Sequence, residues 1–284
     1  KKIIDNFEEY LEKKQKTLGF TLSSEQQKAV ELINSGEKTL FLIGYAGTGK
    51  STSSRAILEL LEEIVSYDDI IAIALSGIAS QRISDTTGYN ASTIQSLLVK
   101  HKEKDFFPYK VILLDEASMV NSVTFAQIIS KISDDTIFII VGDDGQLPAI
   151  GAGNILADSI KYELAPICKL TKIYRQNENQ AIAVIANDIR KGELPNYKEE
   201  YEDFKFVDVS IGNYYSMKNS LSQNEFSDMR GENSDYILNN ILNIASNYIQ
   251  NYYDFIKEKN IGKALTLFQV ITPMKGGVLG VENL

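Results

Sequence analysis

The chain has 284 residues, of which 44% are hydrophobic and 24% charged, so it has the composition of an ordinary globular protein and the length of about two domains. Its net charge of −9 excludes a protein that coats nucleic acid through bulk positive charge, and any DNA contact has to rely on local hydroxyls, amides and a few cations. A single cysteine and the lack of any apolar run of roughly 18 residues indicate a cytoplasmic protein without an internal disulfide or membrane contact.

The predicted elements alternate between helices and strands that are apolar throughout. Apolar residues at helical spacing predict a lead-in helix in 2–15, and Ser23 or Ser24 is predicted to cap a second helix through Leu32. The further predicted strands are 39–43, 70–75, 111–114, 137–141, 167–170 and 268–271, and the further predicted helices are 50–64, a segment from 77, 121–132, 179–191 and 234–258. This pattern indicates an α/β fold with a parallel sheet covered on both sides.

The same rhythm predicts how the chain divides. We expect a lead-in helix in residues 1–20, a first domain in 21–164 and a partial second domain in 165–284. Residues 211–251 are rich in Asn, Ser and Tyr with few strand signals, and we expect 211–232 to form a flexible insertion in the second domain. The chain lacks an initiator Met and ends abruptly, so we expect it to be part of a longer protein.

Residues 44–51 fit the P-loop pattern G-x-x-x-x-G-K-[ST] in full, between an apolar strand and a predicted helix. Backbone N–H groups of such a loop curl around phosphates, and the helix N-terminus adds partial positive charge. Lys50 is predicted to reach the β- and γ-phosphates of ATP, and Ser51 to ligate Mg²⁺. The alternative, a chance Gly-rich turn, fits this context poorly. The predicted ATP-binding residues here are Gly44, Ala46, Gly47, Thr48, Gly49, Lys50, Ser51 and Thr52.

Asp115 and Glu116 directly follow four apolar residues, at the carboxyl end of a predicted strand. In an open α/β sheet that edge faces the ligand. Asp115 is predicted to hold Mg²⁺ directly or through water, and Glu116 to orient and deprotonate the attacking water. The alternative is an Asp–Glu pair that caps the next helix, and the neighbouring P-loop favours the catalytic interpretation.

Two other candidates are not decided by spacing alone. Residues 142–148 end another strand at the same edge, where the amide of Gln146 is suited to bind the γ-phosphate or its attacking water, although a polar turn closed by Pro148 is the alternative. Arg175 either reaches across a cleft as an arginine finger does or pairs with an acid at the surface. The lone His101 is expected to be structural, so acid–base chemistry is assigned to carboxylates.

Several segments, taken in order, carry a family resemblance: Gln26, 44–51, 74–79, 93–98, 115–119, 142–148 and 174–176. The most specific are Asp-Glu-Ala-Ser-Met at 115–119 and Gln-Leu-Pro-Ala-Ile-Gly-Ala-Gly at 146–153. Together they resemble superfamily 1 DNA helicases of the RecD/TraA-like branch, with Dda-like and Pif-type helicases as relatives. The resemblance covers most of 22–192 and returns in 268–284.

The resemblance implies two RecA-like units, the second partial, in a motor that uses ATP and Mg²⁺. Such a motor moves 5′-to-3′ on single-stranded DNA and unwinds duplex, in repair or recombination. It implies that Gln26 reads the adenine edge and that Tyr174 stacks near the adenine. The implied catalytic residues are Lys50, Glu116, Gln146 and Arg175, and the implied DNA contacts are Ser76, Gly77, Thr93, Gln95 and Ser96.

Three departures from the family pattern matter. Gln95 stands where the family usually has His. Only about ten residues, 99–108, separate the Thr-Ile-Gln element from the strand before Asp115, so a strand-splitting pin would be very short or missing. The chain stops before the family's last two motifs, and we expect it to hydrolyse ATP poorly by itself.

Two other interpretations stay open. A short or missing pin favours a DNA-stimulated ATPase, translocase or remodeller that does not unwind duplex. A non-enzymatic nucleotide-binding module is the third, because part of the family's catalytic set lies beyond this chain. Whether additional subunits join the protein is not predictable from the sequence.

Overall fold

The computed structural model describes residues 2–19, 21–45, 47–172, 181–196, 204, 206, 223–258, 271, 272, 275, 276 and 279. The chain separates into two compact units, residues 1–195 and 196–284. The described helices are α1 (Phe7–Leu18), α2 (Ser24–Asn34), α3 (Lys50–Leu61), α4 (Gly77–Thr87), α5 (Ile94–Lys100), α6 (Ser122–Ile129), α7 (Ile155–Lys161), α8 (Ala181–Lys191) and α9 (Gln223–Lys257). The described strands are β1 (Thr39–Gly44), β2 (Ile70–Ala74), β3 (Ala91–Thr93), β4 (Val111–Leu114), β5 (Ile137–Gly142) and β6 (Ile167–Leu170).

The six strands form one parallel sheet in the order β3-β2-β4-β5-β1-β6. Successive side chains of a strand point to opposite faces, so each strand feeds two cores. Leu40 and Leu42 pack in one core with residues of α1 to α4, and Phe41 and Ile43 pack in the other with residues of α5, α6 and α7. The predicted parallel α/β sheet, covered on both sides, is confirmed.

Polar caps determine where the helices begin. Ser23 forms a capping box with Gln26 at the start of α2, which confirms one of the two predicted caps. Ser76, Thr93 and Asn121 each accept a backbone N–H in the first turn of α4, α5 and α6. Because these helices follow β2, β3 and the β4 segment, their N-termini gather at the carboxyl edge of the sheet.

The strand β6 differs from its expected place. We expected residue 165 to open the second domain, whereas Ile167–Leu170 pairs with β1 inside the first sheet. Alternating βα patterns indicate a strand but not the sheet that it joins. The compact units divide after Pro195, about 30 residues later than the expected boundary.

The helix α9 corrects a second expectation. Residues 211–232 were expected to form a flexible insertion, but α9 already begins at Gln223. A helix that has formed extends by one hydrogen bond per residue, and Gly231 costs only about 1 kcal/mol relative to Ala. Residues 211–222, and 268–270 of the last predicted strand, lie outside the described residues. Across the described helices, none is long and apolar enough to cross a membrane.

Candidate active site

The P-loop joins the end of β1 to the start of α3. Gly47 and Gly49 have φ angles of 85° and 84°, which residues with a side chain rarely adopt. Thr48 is buried, and its hydroxyl donates to the Tyr45 carbonyl over 2.8 Å. Backbone turns of this kind, followed by the N-terminus of a 12-residue helix, form a cradle that fits phosphate.

Lys50, the first residue of α3, has a half-buried ammonium. Its Nζ donates to the carbonyl oxygens of Gly44 and Tyr45, the latter over 3.0 Å. Burial lowers the pKa of Lys50, while the charges of Asp143 and Asp115 oppose that effect. The ammonium therefore donates to its own loop while the charges of two carboxylates act on it, at the helix start where a phosphate would bind. Ser51 and Thr52 follow it, half-buried, in the first turn of α3.

Asp115 and Glu116 follow β4, as predicted. Burial raises the pKa of both carboxyls, and the charge of Asp115 raises that of Glu116 further. Asp115 Oδ1 accepts the Glu116 N–H over 2.9 Å. The next α-helix, α6, is capped instead by Asn121, whose Oδ1 accepts the Thr124 N–H. The helix-capping alternative is therefore not what the structure shows.

Glu116 has a backbone conformation that its sequence did not predict. Its φ angle is 52°, in the left-handed region that non-glycine residues rarely adopt. Such a conformation costs about 1–3 kcal/mol and persists only where the surrounding structure imposes it, often at functional sites. Here it turns the chain from β4 into the short 3₁₀ helix Ala117–Met119.

The loop after β5 lies beside the Asp115–Glu116 segment, since β5 pairs with β4. Asp143 is buried, and its Oδ1 accepts the Gly145 N–H over 2.9 Å. Gln146 is exposed, and its Oε1 lies 3.5 Å from the Ser118 hydroxyl, a long hydrogen bond. The structure thus brings Gln146 to Ser118, two residues after Glu116.

Gln26 is buried in α2, and both ends of its amide have partners. Its Oε1 accepts the Ser23 N–H over 2.9 Å, and its Nε2 reaches the Gly49 carbonyl over 3.4 Å. The latter contact joins α2 to the P-loop. The family resemblance implied that Gln26 reads the adenine edge, but the sequence did not indicate its contact with the P-loop.

The five predicted DNA contacts lie at the other end of the same sheet edge. In the β2–β3 pair, Ala74 is opposite Thr93, so the segments 76–79 and 93–96 are neighbours. The hydroxyls of Ser76 and Thr93 accept backbone N–H groups as helix caps, each over 3.1 Å. Among the five, Ser76, Gly77, Gln95 and Ser96 are exposed and Thr93 is half-buried.

Three predicted residues, Ala46, Tyr174 and Arg175, lie outside the described residues.

Two arginines that the sequence analysis missed approach the site. The charge of Arg82, on α4, partly opposes the rise that burial causes in the pKa of Asp115 and Glu116. Arg190, on α8, packs on the Tyr45 ring. The only signal for Arg82 in the sequence is that a cation lies on the helix directly after the strand β2.

A metal site built wholly from protein groups is not part of this arrangement. In the part of the chain that the structure describes, no three His, Cys, Asp or Glu side chains form a cluster. Mg²⁺ in nucleotide sites usually has one or two protein ligands, phosphate oxygens and water. The Ser51 hydroxyl and the Asp115 carboxylate suit that pattern.

Comparison with known proteins agrees with this geometry. Residues 21–210 match the profile of a family described as AAA domain. The chain is 30% identical over 185 residues to the ATP-dependent RecD2 DNA helicase of Deinococcus radiodurans, covering 63% of this chain and 25% of that protein. It is 31% identical over 202 residues to the ATP-dependent DNA helicase RRM3 of Saccharomyces cerevisiae, covering 61% and 28%.

A third relative is the probable conjugal transfer protein TraA of Sinorhizobium fredii, 31% identical over 186 residues, covering 63% of this chain and 16% of that protein. The chain thus spans between 16% and 28% of the length of these three relatives. They confirm the resemblance to RecD/TraA-like helicases, and two of the three are named as ATP-dependent.

Proposed function

The chain belongs to the AAA domain family, and we propose that it is the ATP-hydrolysing core of a DNA helicase. One observation carries the proposal. The strands β1, β5, β4, β2 and β3 are successive neighbours in the sheet. The P-loop follows β1, Gln146 follows β5 and the Asp115–Glu116 pair follows β4. The predicted DNA contacts follow β2 and β3. Four strand spacings of about 4.8 Å separate β1 from β3, or about 19 Å. The phosphate-binding loop and the predicted DNA contacts are therefore close enough for the loss of the γ-phosphate to be coupled to movement of a DNA strand.

The reaction is hydrolysis of ATP to ADP and phosphate. Water attacks the γ-phosphorus, the bond to the β–γ bridging oxygen breaks, and Glu116 accepts the proton of the water. Burial raises the pKa of Glu116, which makes its carboxylate a stronger base than one in water. Mg²⁺ on Ser51 and Asp115 would neutralise phosphate charge. Lys50 binds the β- and γ-phosphates from the P-loop side.

Gln146 and Arg175 complete the proposed catalytic set. The contact between Gln146 and Ser118 supports a role for Gln146 in sensing the γ-phosphate, because Ser118 follows Glu116 by two residues. The roles of Arg175 as a finger and Tyr174 as an adenine contact are proposed on resemblance alone. We propose two roles for Gln26: it contacts the adenine and it also supports the P-loop.

Single-stranded DNA is the proposed track, by analogy with relatives that are named DNA helicases. Ser76, Gly77, Gln95 and Ser96 offer exposed hydroxyl, amide and backbone groups, and Thr93 offers a half-buried hydroxyl. This chemistry suits a protein of net charge −9 that does not grip phosphates by bulk charge. Movement in the 5′-to-3′ direction, a second RecA-like unit in the C-terminal part, and a cytoplasmic location belong to the same proposal.

A translocase or remodeller that does not unwind is the second candidate. One observation favours it: the described loop between α5 and β4 spans only residues 101–110, which leaves little chain for a strand-splitting pin. The experiment compares ATP-driven duplex unwinding with displacement of a protein block from single-stranded DNA by the full-length protein. Unwinding of a duplex with a 5′ overhang supports the helicase. Displacement without unwinding supports the translocase, and the lack of both contradicts a DNA motor.

A further inference from the structure

Arg190, in the last turn of α8, has a guanidinium that lies on the P-loop. Its Cζ is 3.6 Å from the centre of the Tyr45 ring. Its Nη2 is 3.6 Å from Asp143 Oδ2, in an ion pair whose side chains are 25% and 2% exposed. A planar guanidinium can stack on an aromatic ring and pair with a carboxylate at the same time, which a lysine cannot do.

Gly145 closes a third side of this guanidinium. A Cβ added at Gly145 would collide with Nε of Arg190 and meet its Cδ at 3.1 Å. The Gly145 N–H also donates to the other carboxylate oxygen of Asp143, over 2.9 Å. Asp143 and Gly145 therefore both lie against Arg190, and Gln146 directly follows them.

The buried charge of Asp143 explains why a cation is needed there. An ionised carboxylate that is 2% exposed is costly unless it is paired. Among the described residues, neither Asp143 Oδ2 nor Arg190 Nε has a hydrogen-bond partner, so the pair is held by charge and packing. Asp143 and Arg190 also both act on the pKa of Lys50, in opposite directions, so both charges are felt at the phosphate end of the site.

We propose that Arg190 is a positioning residue of the ATP site, which neutralises Asp143 and holds the loop that carries Gln146 against Tyr45 of the P-loop. The inference rests on the proposed ATP binding. Without Arg190, the Asp143 carboxylate would repel the phosphates. The loss should therefore be greater for ATP than for ADP, because ATP carries more negative charge at that end.

The test is titration of the 284-residue chain with MgATP and MgADP by calorimetry. Arg190→Gln should weaken MgATP binding about tenfold and MgADP binding less. Adding Asp143→Asn to that variant should restore most of the MgATP affinity, because the unpaired carboxylate is removed. Arg55→Gln is the matched control, since Arg55 pairs with Glu59 on the surface of α3 and should leave both affinities unchanged.

The outcomes separate this inference from the proposed function. Three results would overturn the role of Arg190 and leave ATP binding in place. They are an Arg190→Gln affinity equal to that of the wild type, an equal loss for MgATP and MgADP, and no restoration by Asp143→Asn. No MgATP binding by the wild type overturns both. Circular dichroism confirms that each variant is folded at the titration temperature. If Arg190→Gln does not fold, Arg190→Lys is titrated instead. It keeps the charge that pairs with Asp143 but loses the planar stack on Tyr45, so it should lose MgATP and MgADP affinity equally and by less than about tenfold. A loss confined to MgATP in Arg190→Lys would overturn the role assigned to the charge.

Discussion

Lys50 Nζ lies 3.0 Å from the carbonyl oxygen of Tyr45 and also donates to that of Gly44. The ammonium is thus held by neutral carbonyls of its own loop, while burial lowers its pKa. A phosphate oxygen offers an acceptor of opposite charge, so the ammonium gains a Coulomb attraction there that the neutral carbonyls do not supply. If ATP binds here as proposed, a small movement of this one side chain would bring the ammonium onto a phosphate oxygen.

Replacing Lys50 tests this arrangement. Lys50→Ala should weaken MgATP binding by at least about tenfold, because the charge that meets the γ-phosphate is removed. Calorimetric titration of the 284-residue chain measures the effect, with Lys38→Ala as the control because Lys38 pairs with Asp135 at the surface. MgATP affinity in Lys50→Ala equal to that of the wild type would remove the P-loop assignment.

The ionised carboxylate of Asp115 is expected to reduce the stability of the fold, because it is buried at the proposed Mg²⁺ site. Burial raises its pKa, so the folded chain binds this proton more tightly than the unfolded chain does. Stability from that proton is present at low pH and is lost as pH rises through the raised pKa. Asp115→Asn imitates the protonated form, and should raise the melting temperature at pH 7 in buffer with EDTA.

The expected rise for Asp115→Asn is about 2–4 °C for each kcal/mol gained in a chain of this size. Differential scanning calorimetry measures it. Asp144→Asn is the matched control, because Asp144 pairs with Lys169 at the surface and its loss should not stabilise the fold. A melting temperature for Asp115→Asn that is equal to or lower than that of the wild type at pH 7 contradicts this account.

Gln26 should matter for the P-loop as a whole. Gln26→Ala removes the hydrogen bonds to the Ser23 N–H and the Gly49 carbonyl, and should weaken MgATP and MgGTP binding alike, by about three- to tenfold. The two titrations, run on the same preparation, separate two roles. A loss confined to MgATP would show that Gln26 reads the adenine edge and does not mainly support the loop.

The DNA contacts need a design that spares the helix caps. Thr93 caps α5, and its replacement by Ala costs about 1 kcal/mol of stability whatever its role in binding. We therefore predict that Gln95→Ala with Ser96→Ala, Thr93 being kept, weakens binding of a labelled oligonucleotide to the full-length protein by about three- to tenfold. MgATP affinity should not change.

The control for this double variant is Gln127→Ala with Ser130→Ala, an exposed Gln–Ser pair at the end of α6, away from the carboxyl edge. Since few cations lie in 76–79 and 93–96, wild-type affinity should fall less steeply with salt than in a lysine-lined groove. Equal DNA affinity in the 95/96 variant and the control would exclude these residues from the track.

Local patterns predicted which segments meet at one edge of the sheet, because each motif directly follows its own strand. The P-loop and Asp115–Glu116 each follow a strand that is apolar throughout, and parallel strands end at one edge. What the sequence could not supply depends on distant parts of the chain. The pairing of β6 with β1, the contact of Arg190 with Tyr45 and the left-handed backbone of Glu116 all depend on tertiary packing. The cap hydroxyls of Ser76 and Thr93 were predicted only as DNA contacts.

Glu116 offers the sharpest separation of binding from chemistry. Glu116→Gln keeps the size of the side chain but cannot accept a proton, and general bases typically contribute about 10²–10⁴-fold to a rate. The variant should therefore bind MgATP with nearly wild-type affinity and hydrolyse it at least about a hundredfold more slowly. A fall in turnover of less than about tenfold would exclude Glu116 as the base.

We propose that ATP hydrolysis at this edge of the sheet is coupled to movement along a DNA strand. Steady-state ATP turnover by the full-length protein, with and without single-stranded DNA, tests it most directly, in the wild type and in Glu116→Gln. We expect single-stranded DNA to raise wild-type turnover several-fold and to leave the Glu116→Gln variant nearly inactive in both conditions. Wild-type turnover that does not respond to single-stranded DNA, or DNA-stimulated turnover that persists in Glu116→Gln, would contradict it.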